Sequence, residues 1–183
     1  MEFIENISKS EYEQFVSTHS AKGHFLQSYY WGNVSKKKDY TPHYVGLKDN
    51  KKLVATALLL QKHVIGKYSF FYCPRGFVCD YNNIEVVKKF TAHLKKYCKK
   101  KKGIFLRIDP DIKLQNLDIE GNIIDGLDNH KLVDELISLG YKHKGFNKNF
   151  ENNEPRYTFR LDVSHGIEEV RKNLHPTTRN IIN

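Results

Sequence analysis

Apolar positions along this chain recur with two different periods, and the alternation between them outlines a series of helices and strands. Ser8-Lys9-Ser10-Glu11 has the spacing of a capping box, and Tyr12, Phe15 and Val16 then fall on one helical face. A first short helix is predicted there. Phe25-Leu26-Gln27 reads as a brief strand. Ser28 to Val34 reads as a capped helix running into Lys36-Lys37-Lys38, where cations suit a helix C-terminus. His43 to Lys48 and Leu53 to Leu60, joined by Asp49-Asn50-Lys51, predict a hairpin. The second strand lacks polar alternation, as a central strand buried on both faces would. Tyr68 to Tyr72 supplies a third strand, ended by Pro74-Arg75-Gly76.

Between Asn82 and Lys102 the period changes. Val86, Val87, Phe90, Leu94, Tyr97 and Cys98 recur at three and four residues with lysines mostly opposite, which predicts a long amphipathic helix ended by Gly103. Ile104 to Pro110 follows as a short buried strand whose exit is marked by Asp109-Pro110. A polar stretch from Asp111 to Asn129 leads into a helix carrying Leu132, Val133, Leu136 and Ile137, stopped by Gly140. Tyr141 to Phe146 and Arg156 to Val163 predict further strands. Ser164 is placed as the cap of a helix with Ile167, Val170 and Leu174, and Pro176 opens another helical segment. The class is α/β (α+β): a mixed sheet flanked by helices, in an order similar to the N-acetyltransferase (GNAT) type of acyltransferase fold. Such a likeness does not by itself assign a function.

Composition narrows the classes. In 183 residues, 30 Lys and Arg stand against 21 Asp and Glu, a formal charge of +9. That length holds one compact domain, or one with a fragment of another. With 39% hydrophobic and 13% aromatic residues, the chain has the material for a core and is unlike a disordered segment. No apolar run approaches the roughly 20 residues of a membrane-spanning helix, and the acidic start Met-Glu-Phe-Ile-Glu is unlike a signal peptide. A soluble, cytoplasmic chain is expected. Cys73, Cys79 and Cys98 form no Cys-x-x-Cys pair and the nine histidines are scattered, so neither a disulfide framework nor a metal site is expected.

Lysine outnumbers arginine, which favours contact with phosphates over base reading. Lys95, Lys96, Lys99, Lys100, Lys101 and Lys102 form the strongest charge run. It reads either as a solvated helix end or as a surface for tRNA or an anionic membrane. Tyr30 and Trp31 read as core anchors, not base-stacking platforms. The entrance to the long helix, Asp80-Tyr81-Asn82-Asn83-Ile84, lacks glycine and carries an aspartate, which argues against a coenzyme A pyrophosphate there. No cofactor is expected. Asp109 is either a turn residue that ends its strand or a carboxylate placed to act on a substrate. Arg75 reads as a phosphate or carboxylate contact or as a turn residue paired to a nearby acid, and Asp80 as a functional carboxylate or a helix-start residue.

Phe25-Leu26-Gln27-Ser28-x-x-Trp31-Gly32-x-Val34, Tyr72-x-Pro74-Arg75-Gly76-x-Val78-x-Asp80-Tyr81, Phe105-Leu106-Arg107-Ile108-Asp109-Pro110 and Leu174-His175-Pro176-Thr177-Thr178-Arg179, in that order, resemble the first half of the FemABX family, the peptidoglycan-branching aminoacyltransferases. The resemblance implies transfer of an amino acid from aminoacyl-tRNA to the stem peptide of a UDP-linked muramyl pentapeptide or its lipid-linked form, with possible contact at the inner membrane surface. It implies residues 1–163 as a first GNAT-like domain and 164–183 as the start of a connection toward a second such domain that is missing, so that this polypeptide alone is expected to be inactive. Precursor binding by this half is implied for Lys36, Lys37 (with Lys38 of the same cluster), Arg75, Asp80 and Arg107, and positioning of the acceptor amine for Asp109. Two other functions compete: a coenzyme A-dependent N-acetyltransferase, from fold alone, and a non-catalytic basic RNA-binding module, from the charge.

Overall fold

The computed structural model describes residues 1–19, 23–145 and 164–182. The chain divides into two compact units, Met1–Lys142 and His143–Asn183.

In the first unit, β1 (Glu2–Ile4) precedes α1 (Lys9–Thr18), a 3₁₀ turn (Phe25–Gln27) and α2 (Tyr29–Lys36). Strands β2 (Thr41–Asp49), β3 (Lys52–Ile65), β4 (Tyr68–Cys73) and β5 (Val78–Cys79) follow, then α3 (Ile84–Lys100) and β6 (Gly103–Ile108). A small hairpin, β7 (Gln115–Leu117) and β8 (Ile123–Asp128), leads to α4 (His130–Ser138). The main sheet runs β1-β2-β3-β4-β6, with β5 also paired to β3. Its pairs are antiparallel except β4 with β6, which are parallel and joined through α3. A parallel pair needs such a crossover.

The middle strand shows why this sheet has helices on both faces. Ala55 through Leu60 are all buried. Ala55, Ala57 and Leu59 join Phe71, Phe90 and Leu94 in one core, while Leu58 and Leu60 join Tyr12, Val16 and Val78 in another. Successive side chains of a strand point to opposite faces, so an unbroken apolar run must be covered twice. Helix α3 covers one face with Val87, Phe90, Leu94 and Tyr97; α1 and α2 cover part of the other. Burying a Phe or Leu side chain contributes about 1.5–3 kcal/mol, so these contacts, more than helix propensity, hold α3 in place.

Several local expectations are revised. Phe25–Gln27 is a 3₁₀ turn, not a strand, because Gln27 turns inward and its main-chain N–H donates to the His24 carbonyl at 2.8 Å. Ser8 does cap α1, accepting from the Glu11 N–H at 3.3 Å, while the Glu11 carboxylate is paired with Lys48 at 2.6 Å. Tyr30 is exposed, with the Lys9 ammonium 4.7 Å from its ring centre, whereas Trp31 does pack against the second core. Strand β6 is not buried throughout: Leu106 and Ile108 face the core, but Ile104 and Phe105 are about half exposed. The polar stretch after Asp111 contains the β7–β8 hairpin, closed by Asp118, which accepts from the Asn122 N–H at 2.7 Å. Gly140 does end α4, with φ +94° and the Tyr141 N–H reaching back to the Leu136 carbonyl. Residues 141–145 form no strand; Phe146 and the strand expected over Arg156 to Val163 lie outside the described residues.

The second unit contains α5 (Ile167–Asn173) and α6 (Pro176–Ile182). Gly166, at φ +84°, occupies the capping position of α5, so Ser164 is not its cap. Glu168 and Glu169 in its first turn and Arg171 and Lys172 in its last suit the helix dipole. Pro176 starts α6, and His175 Nδ1 accepts from the Thr177 N–H at 3.3 Å.

Candidate functional site

The parallel strands β4 and β6 end side by side, with Tyr72 opposite Arg107 and Cys73 opposite Ile108. The carboxyl ends of parallel strands are where α/β sheets commonly place ligand-binding residues. From β6 comes Asp109, half-buried; from β4 comes the turn Pro74-Arg75-Gly76. Asp109 joins the two. Its Oδ2 accepts from the Tyr72 hydroxyl at 3.0 Å and its Oδ1 from the Arg75 main-chain N–H at 3.1 Å. The turn is tight: Arg75 has φ +59° and Gly76 φ +71°. A Cβ on Gly76 would lie 2.9 Å from the Pro110 Cα and 2.6 Å from the Tyr81 hydroxyl, so glycine lets the turn pack directly on the Asp-Pro exit of β6.

The underside of this turn is fixed by Gln27, which is completely buried. Its amide donates to the Pro74 carbonyl at 2.5 Å, and its Oε1 accepts from the Leu58 N–H of β3 at 2.8 Å. The Tyr12 hydroxyl donates to the Gln27 carbonyl at 2.8 Å. Tyr81 holds the far side, its hydroxyl accepting from the Phe77 N–H at 2.8 Å. Three sequence motifs thus meet at one point. Gln27 from the first supports Pro74 of the second, and the second is tied to Asp109 of the third.

Electrostatics separate the reactive groups from the structural ones. Burial, and then the neighbouring Asp109 carboxylate, push the Cys73 thiol well up from its ordinary range. The thiol therefore stays protonated and donates to the Gly76 carbonyl at 3.1 Å, a structural contact and not a nucleophile. Burial likewise raises Tyr12 and Tyr81, which remain hydroxyls.

The remaining candidates are distributed as follows. Arg107 is exposed, its guanidinium 5.8 Å from the centre of the Tyr72 ring, so it belongs to the Asp109 cluster. Asp80 does not share these contacts. It is exposed, accepts from the Asn82 N–H at 2.9 Å, and lines a hollow of about 260 Å³ with Phe15, His19, Leu53 and Asn83. Lys36 ends α2 and Lys37 and Lys38 follow it, all exposed. Lys95, Lys99, Lys100, Lys101 and Lys102 are exposed along and beyond the last turns of α3, with Lys100 paired to Glu5 at 2.9 Å. The sequence motifs contain Tyr72 and Gln27 but imply no role for either. Gln27, between Leu26 and Ser28, carries no local sign of its burial, and nothing local marks Tyr72. Among the described residues no group of three or more His, Cys, Asp or Glu side chains is arranged to hold a metal ion. No described helix is long and apolar enough to cross a membrane.

The fold and this cluster define a mixed α/β domain with a carboxylate and arginines at the carboxyl ends of two parallel strands. The FemAB family model matches residues 7–183, and the chain belongs to that family. The aminoacyltransferase FemA of Staphylococcus epidermidis is 38% identical over 149 residues, covering 80% of this chain and 35% of that protein. FemA of Staphylococcus aureus is 33% identical over 147 residues, with the same coverage. Among solved structures, a crystal structure of FemX superposes with a TM-score of 0.68 at 27% identity, covering 84% of this chain and 35% of that one. The chain thus spans about a third of the length of the curated relatives it matches.

Proposed function

We propose that this chain is the acceptor-binding half of an aminoacyltransferase that moves an amino acid from aminoacyl-tRNA to an amine on the stem peptide of a cell-wall precursor. The observation that carries this reading is the junction of Asp109 with Tyr72 and the Arg75 turn at the ends of β4 and β6. In the reaction an amine attacks the ester carbonyl of the donor, a carbon–nitrogen bond forms, and the ribose oxygen departs and takes up a proton. The amine must be neutral to attack. Asp109 binds the acceptor as an ammonium and accepts its proton as the nucleophile forms. Hydrogen bonds from the Tyr72 hydroxyl and the Arg75 main-chain N–H hold its carboxylate in one orientation.

In this reading Arg107 and Arg75 meet carboxylate or phosphate groups of the precursor, and Lys36 to Lys38 meet its pyrophosphate as point charges. Asp80 is a secondary contact at most, given its place beside the α1–α3 hollow. The developing oxyanion and the tRNA phosphates are served by parts of the whole enzyme beyond this half, which works on the cytoplasmic side of the membrane, where aminoacyl-tRNA is made. Coenzyme A is not required. The first turn of α3, where a pyrophosphate would sit, has its Val86 N–H bonded to the Asn83 side chain at 3.3 Å.

Calorimetry with UDP-muramyl pentapeptide tests the proposal. Asp109→Asn and Arg107→Ala are each expected to weaken binding about tenfold or more, since hydrogen bonds to charged groups contribute about 1.5–3 kcal/mol. Unchanged affinity in both variants, or no binding by a longer chain that carries both halves, would overturn it. Stabilisation by acetyl-CoA instead would point to an acetyltransferase.

A further inference from the structure

The tip of the β3–β4 hairpin and the lysine-rich end of α3 form one continuous surface. Gly66 turns the hairpin at φ +54°, and Ile65 pairs with Tyr68 across it. The end of α3 is fastened to this hairpin: the Ser69 N–H donates to the Lys102 carbonyl at 3.1 Å, and the Gln61 amide to the Lys101 carbonyl at 3.3 Å. β6 then starts beside it, with Phe105 stacked on Phe70 at 5.4 Å between ring centres.

What this surface exposes is unusual for a hairpin tip. Ile65 is 73% exposed, Val64 54% and Tyr68 45%, and the adjoining Ile104 and Phe105 are 56% and 52% exposed. Four lysines surround them. Lys62 lies over the Tyr40 ring at 4.9 Å, Lys67 over Tyr68 at 5.9 Å and Lys101 over Tyr97 at 5.9 Å, while Lys102 closes the helix. Lys100 is engaged by Glu5 and is not counted among them.

Lysines alone would suit any polyanion. The branched aliphatic side chains decide between partners: a single-stranded RNA surface uses aromatic platforms and arginine, whereas Val64 and Ile65 at the outermost turn have no use on a phosphate backbone. Aliphatic residues at the point, aromatic residues behind them and lysines around the rim match the layers of a bilayer, from acyl chains to headgroups. We propose that this end of the molecule docks on an anionic lipid bilayer, with Val64 and Ile65 entering the headgroup boundary and Lys62, Lys67, Lys101 and Lys102 meeting lipid phosphates. The inference stands apart from the acceptor reading, since it uses none of the residues around Asp109.

Co-sedimentation of the chain with vesicles tests it, comparing phosphatidylcholine alone with equal parts phosphatidylcholine and phosphatidylglycerol. Binding is expected only to the anionic vesicles and is expected to fall steeply with added salt. Each lysine near such a surface is worth about fivefold in affinity, so Lys67→Gln with Lys102→Gln should weaken binding about twentyfold. Val64→Ser with Ile65→Ser should weaken it about tenfold or more while leaving charge and the urea midpoint unchanged. Absence of binding to anionic vesicles would overturn the proposal, as would binding that the serine pair does not alter. A tRNA complex lost on lysine substitution, with no vesicle binding, would assign the patch to RNA instead. No precursor enters the measurement, so its failure leaves the acceptor reading standing.

Discussion

His43 shows how a single side chain can be caught between two roles. Its Nδ1 is 2.9 Å from the Tyr97 hydroxyl and its Nε2 is 2.9 Å from the Gln61 Oε1. A neutral ring satisfies both, donating from Nε2 to the amide oxygen and accepting at Nδ1 from the hydroxyl. Burial pushes Tyr97 up to about 12, so the hydroxyl is always there to donate. Burial also lowers His43 from its ordinary value; the hydrogen bond with Gln61 opposes this in part, and the nearby Lys101 adds a smaller lowering. The sign follows from proton counting. Below the unfolded value of about 6.5 the unfolded chain binds a proton that the folded chain resists, so this contribution to stability is complete above that value and is lost as pH falls through the lowered folded value. The urea midpoint is expected to drop between neutral pH and mildly acidic pH, and His43→Gln should flatten that slope. An equal slope in both proteins would show that other groups govern the acid response.

At the scale of elements, the joint between α3 and β6 divides between two residues what the sequence pattern assigns to one glycine. The left-handed residue that ends the helix is Lys102, at φ +59°, and Gly103 already belongs to β6. Gly103 is needed for space instead: a Cβ there would lie 2.7 Å from the Phe71 ring and 2.9 Å from the Cys98 carbonyl. Opposite outcomes follow for adjacent positions. Gly103→Ala should destabilise by about 1–3 kcal/mol, the cost of overpacking a filled core. Lys102→Gly should be neutral or stabilise by up to about 1 kcal/mol, since relief of the left-handed strain is partly offset by the freer unfolded chain. Urea unfolding of the two variants reads both, and a stabilising Gly103→Ala would contradict the steric account. The same comparison shows what the pattern could carry. The long periods of α3 and the unbroken run of β3 were legible, because burial imposes them directly. The strands β1 and β5, with three and two residues, are too short to show a period. The β7–β8 hairpin was hidden for a different reason: its residues are half-buried or exposed, so no apolar alternation marks them.

For the whole molecule, the question is how a net charge of +9 is tolerated and where it acts. The site was partly legible because its motifs converge: Gln27, Arg75 and Asp109 are far apart in sequence and adjacent in space. The charge was less legible, because lysine runs read alike whether they face solvent, nucleic acid or lipid, and only the hairpin beside Lys101 and Lys102 distinguishes them. The ion pairs Lys48–Glu11, Lys89–Glu85 and Lys100–Glu5 lie at the surface, where such pairs contribute little. Cations outside these pairs, including Lys36 to Lys38 and Lys101 with Lys102, instead repel one another within the first unit and do so less in an expanded chain. Added salt screens both effects, with a Debye length of about 8 Å at physiological ionic strength. The excess charge outweighs weak surface pairs such as these, so raising sodium chloride from low to physiological concentration should raise the melting temperature by a few degrees, about what 1 kcal/mol produces in a domain of this size. Chloride is the appropriate anion, because sulfate would stabilise by exclusion whatever the charge. A melting temperature that falls with sodium chloride would mean that the surface pairs, not the net repulsion, dominate the electrostatics of the fold. The lysine surfaces would then be balanced within the molecule and not held ready for an external anion.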